Sequence, residues 1–263
     1  MASKNDVYTI YGRRPVQEFL QKNDTSDIEI IYISESAASS LKQEIKESVS
    51  GSLLKIIPRK AIDKMFPDVN HQGIVIRMKR SFQTKKNLDQ KNWKTLLESA
   101  DGLVVLLDRI QDPFNAGNII RTAEALGAKG VILTGKGASP GPTVDRASAG
   151  ATMHLPHFQV QNADHVIEIA KECGYWIASS VSPHDIDATQ LTEKMLHLFT
   201  DELSALPDAD QILLIIGNEG GGIKNLIMKK TDFFISIPLS GETSSLNAGT
   251  AAGILMDRIL NRK

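Results

Sequence analysis

Short aliphatic runs alternate along this chain with stretches whose apolar residues recur at helical spacing. Over residues 7–80 the pattern predicts a helix at Pro15–Leu20, a strand at Ile28–Ile33, a helix at Leu41–Glu47 and a strand at Leu54–Ile57. A helix at Lys60–Phe66 and a strand at Gly73–Met78 follow, enough for a small α/β unit. From Gly102 the alternation repeats at larger scale. Leu103–Leu107 is aliphatic throughout, as in a strand covered on both faces. Gly117–Leu126 reads as a helix closed by Gly127, Gly130–Leu133 as a strand and Gly135–Pro142 as a turn-rich loop. Asp164–Cys173 is helical and stopped by Gly174, Tyr175–Ala178 is a strand, and Ser179–Leu206 is an irregular, partly helical excursion. Ile212–Ile216 and Phe233–Ile237 are the last strands, and Leu246–Leu260 is the last helix.

Between the two series lies a polar, lysine-rich stretch, Ser81–Asn92, without clear periodicity. The expected division is an N-terminal unit over 1–80, a linker over 81–100 and a C-terminal unit over 101–263. A surface loop within one domain is the other reading of the stretch.

Composition removes several classes. The chain has 263 residues, 41% of them hydrophobic and 23% charged, an ordinary balance for a globular protein. Aromatic residues make up only 5%, so the core must be aliphatic and small. A formal net charge of −1 argues against indiscriminate polyanion binding, although Arg13-Arg14 and Arg59-Lys60 allow a local basic patch. With Cys173 as the only cysteine there is no disulfide framework, and a buried small hydrophobe is expected there. His154 and His157 are separated by Pro156, so no metal site is expected. Met1–Asn5 is polar and no apolar run approaches the length of a membrane span, which leads us to expect a soluble, cytoplasmic protein.

Three segments carry candidate chemistry: Asn115–Arg121, Gly217–Gly222 and Ser244–Gly249. Each follows an aliphatic run and precedes a helical pattern, the position of the loops that form ligand crevices in open α/β sheets. In the first, Gly117 is read as starting the helix. Arg121 is read about one turn in, where a cation opposes the macrodipole and suggests an anionic ligand. Pairing with Glu124 or Asp108 on the surface is the alternative. The second sets four glycines around Glu219, but it is neither a Walker loop nor a GxGxxG fingerprint. A tight turn with an incidental carboxylate is the competing reading. In the third, Gly249 and Gly253 weaken a helix by about 1 kcal/mol each relative to alanine, which suggests close packing against a backbone or a ligand. Ser244 or Ser245 is the expected N-cap, leaving Asn247 in the first turn without a capping role.

Taken together, Asn115-x-Gly-Asn-x-x-Arg121, Gly217-x-Glu219-Gly and Ile237-Pro238-Leu239 through Ser245-Leu246-Asn247 resemble the signature motifs of the SpoU/TrmH family of RNA ribose 2′-O-methyltransferases. The resemblance covers Gly102 to Arg258, and Ile10–Arg13 through His71–Val75 looks like the small RNA-binding α/β domain of many members. The layout is closest to the bacterial 23S rRNA guanosine subgroup. The resemblance implies an α/β fold in two parts: a small N-terminal RNA-binding domain, and a C-terminal domain with a mostly parallel sheet and a deep trefoil knot. S-adenosyl-L-methionine would be held by backbone atoms of Gly217, Ile237 and Leu246, with Leu239 lining the pocket. Catalysis would fall to Arg121, with Asn115 and Glu219 orienting it and Ser245 and Asn247 fixing loop and cofactor geometry. Arg13 would touch an RNA phosphate. The partners implied are RNA, ribosomal ahead of transfer RNA, and a second copy of the chain docked through the last helix. The chain departs from the pattern at Gly249, where many members carry serine. Two other classes remain open: an inactive RNA-binding protein on this fold, and a nucleotide-dependent oxidoreductase. The oxidoreductase would need a glycine fingerprint after the first strand, and Asp108–Ala116 contains no glycine.

Overall fold

The structure, a computed structural model, describes residues 8–22, 25–39, 49, 51–67, 69–79, 92–182, 196–199 and 211–262. The chain divides into two compact units, 1–89 and 90–263.

The N-terminal unit is built on strands β1 (Thr9–Tyr11), β2 (Ile28–Ile33), β3 (Leu54–Ile56) and β4 (Ile74–Met78), ordered β1-β4-β2-β3. β4 runs antiparallel to both β1 and β2, and β3 runs parallel to β2. Val16, Phe19 and Leu20 form the buried face of the helix Arg13–Lys22. A second helix spans Arg59–Met65. The helix expected at Leu41–Glu47 lies outside the described residues. β1 was not expected, because three residues are too few to show a period.

In the C-terminal unit, β5 (Leu103–Asp108), β6 (Gly130–Thr134), β7 (His157–Val160), β8 (Trp176–Ser180), β9 (Leu196–Phe199), β10 (Ile212–Ile216) and β11 (Phe233–Ser236) form one sheet. Its order is β7-β6-β5-β10-β8-β11-β9, and every pairing is parallel. The aliphatic runs explain themselves here. Leu103, Val105 and Leu107 enter one core with Ile212, Leu214 and Ile216, while Val104, Leu106, Leu213 and Ile215 enter the core on the opposite face. The helices Pro113–Leu126 and Ala248–Leu260 cover the first face, and Trp93–Ser99 and Ala163–Glu172 cover the second. β10 is inserted between β5 and β8 although β6 to β9 precede it in the chain, which brings the loops after β5 and β10 side by side. That reversal of strand order is where open α/β sheets place ligands.

Several expectations need correction. The linker proposed over 81–100 does not extend to its end. Trp93–Ser99 is a helix of the second unit, with Leu96 and Leu97 buried on its inner face. The helix expected from Gly117 begins four residues earlier. Asp112 caps it by accepting from the Phe114 amide at 2.9 Å, and Pro113 occupies the first turn, where its missing N–H goes unused. β7 was missed because it is short and directly follows Pro156. β9 lies inside the excursion read as irregular. Cys173 is half-exposed rather than buried; it closes the helix Ala163–Glu172, and partial burial raises its thiol pKa, with Glu98 and Glu172 adding to the effect. Among the described residues no helix is long and apolar enough to cross a membrane, and no group of potential metal ligands occurs.

Gly117 holds two helices together. A Cβ there would fall 2.3 Å from the Ala147 Cβ and 2.9 Å from the Ser148 nitrogen, so the helix Pro142–Ala147 lies against bare backbone. Gly117→Ala is therefore expected to overpack this contact and destabilise the fold by about 1–3 kcal/mol, read as a lowered Tm by calorimetry.

Tyr175 ties the Trp93–Ser99 helix to the sheet. Its buried hydroxyl donates to the Ala100 carbonyl at 2.9 Å, and burial pushes its pKa up to about 12. A tyrosine pKa raised in the fold adds stability that is complete below the unfolded value, about 10, and is lost as pH climbs through the folded value. Base-induced unfolding between pH 10 and 12 should accordingly be less steep in Tyr175→Phe than in the wild type.

Candidate active site

Asn115 is the third residue of the helix Pro113–Leu126 and is buried. Its amide nitrogen donates to Glu219 Oε1 at 2.6 Å, and its amide oxygen accepts from Asn247 Nδ2 at 3.0 Å. One side chain thus joins the three loops that the sequence singles out. An amide serves both neighbours at any pH, since it donates to the carboxylate with one end and accepts with the other. The bond to Glu219 is charge-assisted and correspondingly short.

The glycine loop is rigid for reasons its sequence does not advertise. Asn218 exchanges both backbone hydrogen bonds with Gly222, and its side-chain oxygen accepts from the amides of Gly220 and Gly221. A Cβ on Gly217 would approach the Gly222 carbonyl carbon to 2.6 Å, so the loop closes only over glycine. Glu219 stands exposed at its tip. Arg109 secures the loop from the side. Its backbone is left-handed at φ 59°, and its carbonyl accepts from Asn218 Nδ2 at 2.8 Å. Its guanidinium bonds both oxygens of buried Asp108 and reaches the Gly222 carbonyl at 3.3 Å. Sequence reasoning singled out neither Arg109 nor Asn218. The available signal was Asp108, a carboxylate ending an otherwise aliphatic strand, which requires a cationic partner.

The third segment corrects the expected cap. Asn247, not Ser244 or Ser245, is the N-cap of Ala248–Leu260, its Oδ1 accepting from the amides of Gly249 and Thr250 at 2.9 and 3.3 Å. The same side chain therefore caps one helix with its oxygen and bonds Asn115 with its nitrogen. Ser244 and Ser245 are exposed, and the Ser244 carbonyl accepts from Ser182 Oγ at 3.2 Å.

These loops border a cavity of about 870 Å³. Gly217, Ile237, Leu239 and Leu246 all line it, as do Glu219, Ser245 and Asn247, together with Ser180–Ser182 from the end of β8. Asn115 lies behind this lining, bonded to two of its members.

Arg121 is placed differently from expectation. It is the ninth residue of a fourteen-residue helix, beyond the first turn, so the macrodipole argument does not apply to it. It is exposed, is absent from the cavity lining, and makes no hydrogen bond or ion pair with any described residue. Asp108, one partner considered for it, is taken by Arg109. In the N-terminal unit Arg13 is exposed, and its backbone amide donates to Gln72 Oε1 at 3.0 Å.

Comparison with known proteins agrees with this geometry. Residues 102–257 match the SpoU rRNA methylase family, and residues 9–84 match a domain described as RNA 2′-O ribose methyltransferase substrate binding. A Bacillus subtilis protein assigned to the TrmH family of tRNA/rRNA methyltransferases is 29% identical over 266 residues, spanning 100% of this chain and 98% of its own length. An uncharacterised tRNA/rRNA methyltransferase of Borreliella burgdorferi is 32% identical over 225 residues, 82% of this chain and 92% of its own. Among solved structures, the SpoU methyltransferase AviRb of Streptomyces viridochromogenes with AdoMet superposes with a TM-score of 0.71 at 23% identity, covering 97% of this chain and 90% of that one. An AdoMet-bound rRNA methyltransferase of Sinorhizobium meliloti gives 0.66 at 23% identity, covering 96% and 86%. With three loops joined at one buried asparagine and a family match spanning the whole C-terminal sheet, this chain belongs to the SpoU rRNA methylase family.

Proposed function

We propose that this protein transfers a methyl group from S-adenosyl-L-methionine to a ribose 2′-hydroxyl of structured RNA, with a guanosine of 23S rRNA as the first target to test. The observation that carries this reading is the Glu219–Asn115–Asn247 relay at the edge of the cavity. The cavity suits the donor. Ile237, Leu239 and Leu246 supply apolar surface for a purine, and Glu219, Ser245 and Asn218 supply polar groups for a ribose and a charged amino-acid portion. Gly217, Ile237 and Leu246 would hold it chiefly by their backbone. When bound, the sulfonium compound supplies an electrophilic methyl carbon.

The protein's own groups then have two tasks, positioning and proton removal. Arg121 clamps the phosphate beside the reacting ribose and polarises the hydroxyl, while a phosphate oxygen or water receives the proton. A guanidinium scarcely deprotonates in proteins, which argues against Arg121 as the base itself. Asn115 has both amide ends engaged, so its task is to fix Glu219 and Asn247. Arg13 contributes a phosphate contact from the N-terminal unit. We read the C-terminal segment as tied in a trefoil knot, which the late insertion of β10 between β5 and β8 supports. We also read the protein as a cytoplasmic homodimer docked through Ala248–Leu260, which the half-exposed Gly253, Ile254 and Leu260 support.

The test is to map ribose methylation in ribosomal and transfer RNA from a deletion strain. One 2′-O-methyl mark should be lost from 23S rRNA and restored by purified protein with S-adenosyl-L-methionine. Loss of a transfer RNA mark would move the target, and an unchanged map of every RNA would end the proposal.

A further inference from the structure

Besides Asn115, the helix Pro113–Leu126 presents a second group of side chains. Phe114, Asn118 and Arg121 are spaced four and three residues apart, so they share one face, and all three are exposed. Phe114 is 52% exposed and joins no hydrophobic core cluster among the described residues. Its ring lies under Arg146, with the guanidinium carbon 5.8 Å from the ring centroid. The pairing is built in, because bare backbone at Gly117 lets the helix carrying Arg146 lie directly against the helix carrying Phe114. Helix capping does not explain the ring, since Asp112 and Pro113 already perform it. Phe114 is also the immediate neighbour of Asn115, the centre of the relay.

We propose that Phe114 and Arg146 form a stacking clamp for an unpaired RNA base flanking the nucleotide to be methylated. This inference rests on the methyltransferase reading above and names how that site grips its substrate. Sequence-tolerant binding of single-stranded RNA combines aromatic faces, on which splayed bases stack, with cations that follow the phosphates. This face supplies both. The phenyl ring offers its free side to a base while Arg146 holds the other, and Arg121, two turns along the same face, meets the backbone. Asn118 between them offers donors and an acceptor to a base edge. The cationic groups fit a polyanion despite the overall charge of −1.

The probe is total RNA from the deletion strain, with labelled S-adenosyl-L-methionine as donor. Phe114→Ala should raise the KM for RNA about 5- to 100-fold. The KM for the donor and the assembly mass by light scattering should stay at wild-type values. Phe114→Tyr should restore the RNA KM, and Arg146→Ala should raise it less than Phe114→Ala does. An unchanged RNA KM in Phe114→Ala, or a Phe114→Leu variant equal to wild type, would overturn the clamp while leaving the methyltransferase reading intact. A fall in assembly mass in Phe114→Ala would also overturn it, by assigning the ring to a subunit contact. Wild-type protein that methylates none of this RNA would overturn both.

Discussion

Arg121→Ala is expected to lower methyl transfer by about 10²- to 10³-fold, the loss typical of removing one group that stabilises charge at a reacting centre. Tm and affinity for S-adenosyl-L-methionine should stay close to wild type. The separation follows from placement. Arg121 is exposed, bonds no described residue and does not line the cavity, so neither the fold nor the donor site depends on it. Its whole contribution should appear on the RNA side, measurable by single-turnover methylation beside calorimetric titration of the donor. Arg121→Lys distinguishes the two roles open to the residue. As a phosphate clamp, lysine keeps a point charge, so turnover at saturating RNA stays near normal while RNA affinity falls with the lost two-point geometry. As the proton acceptor, lysine would shift the pH dependence of turnover toward an ammonium range. A wild-type rate in Arg121→Ala would remove the residue from the mechanism altogether.

How much of this was legible in the sequence depended on how each element is held. The strands β5 and β10 were plain because burial on both faces leaves no polar residue to break the run. β7 and β9 were not, since each has a single neighbouring strand, at the two ends of the sheet, and is only four residues long. Helix starts were misjudged where one side chain serves two partners. Asp112-Pro113 is a clear start signal, outweighed by reading Asn115 as a loop residue and Gly117 as the first residue of the helix. Both sit inside the helix, one turned toward a carboxylate 104 positions away and the other flattened for a neighbouring backbone. Asn247 was denied a cap because two serines stood closer to the expected boundary. The cavity-lining residues Gly217, Ile237, Leu239 and Leu246 came from the family motifs, not from periodicity. Arg109 escaped because a left-handed non-glycine residue leaves no mark in a sequence.

The relay itself makes the sharpest demand on one residue. Asn115→Asp preserves shape but sets a carboxylate against Glu219, whose Oε1 lies 2.6 Å from the present amide nitrogen. Near neutral pH the two charges repel, so the glycine loop should detach from the helix. Turnover is expected to fall at least about 100-fold, comparable to losing one positioning contact at a reacting centre. Acid should partly reverse this. Once protonated, the introduced carboxyl would donate to Glu219 as the amide does, so the ratio of variant to wild-type rate should rise as pH drops from about 8 toward about 5. Asn115→Ala tests the same relay without charge. It leaves Glu219 and the Asn247 side-chain nitrogen without this partner but in contact with water, while the Asn247 oxygen still caps its helix. The expected loss of stability is therefore modest, about 1 kcal/mol, while turnover and donor affinity fall together. A double-mutant cycle with Glu219→Ala should show strong coupling in turnover, because the two side chains act as one unit. Additive losses would mean that the 2.6 Å contact is incidental to catalysis. A flat pH ratio in Asn115→Asp would lead to the same conclusion by an independent route.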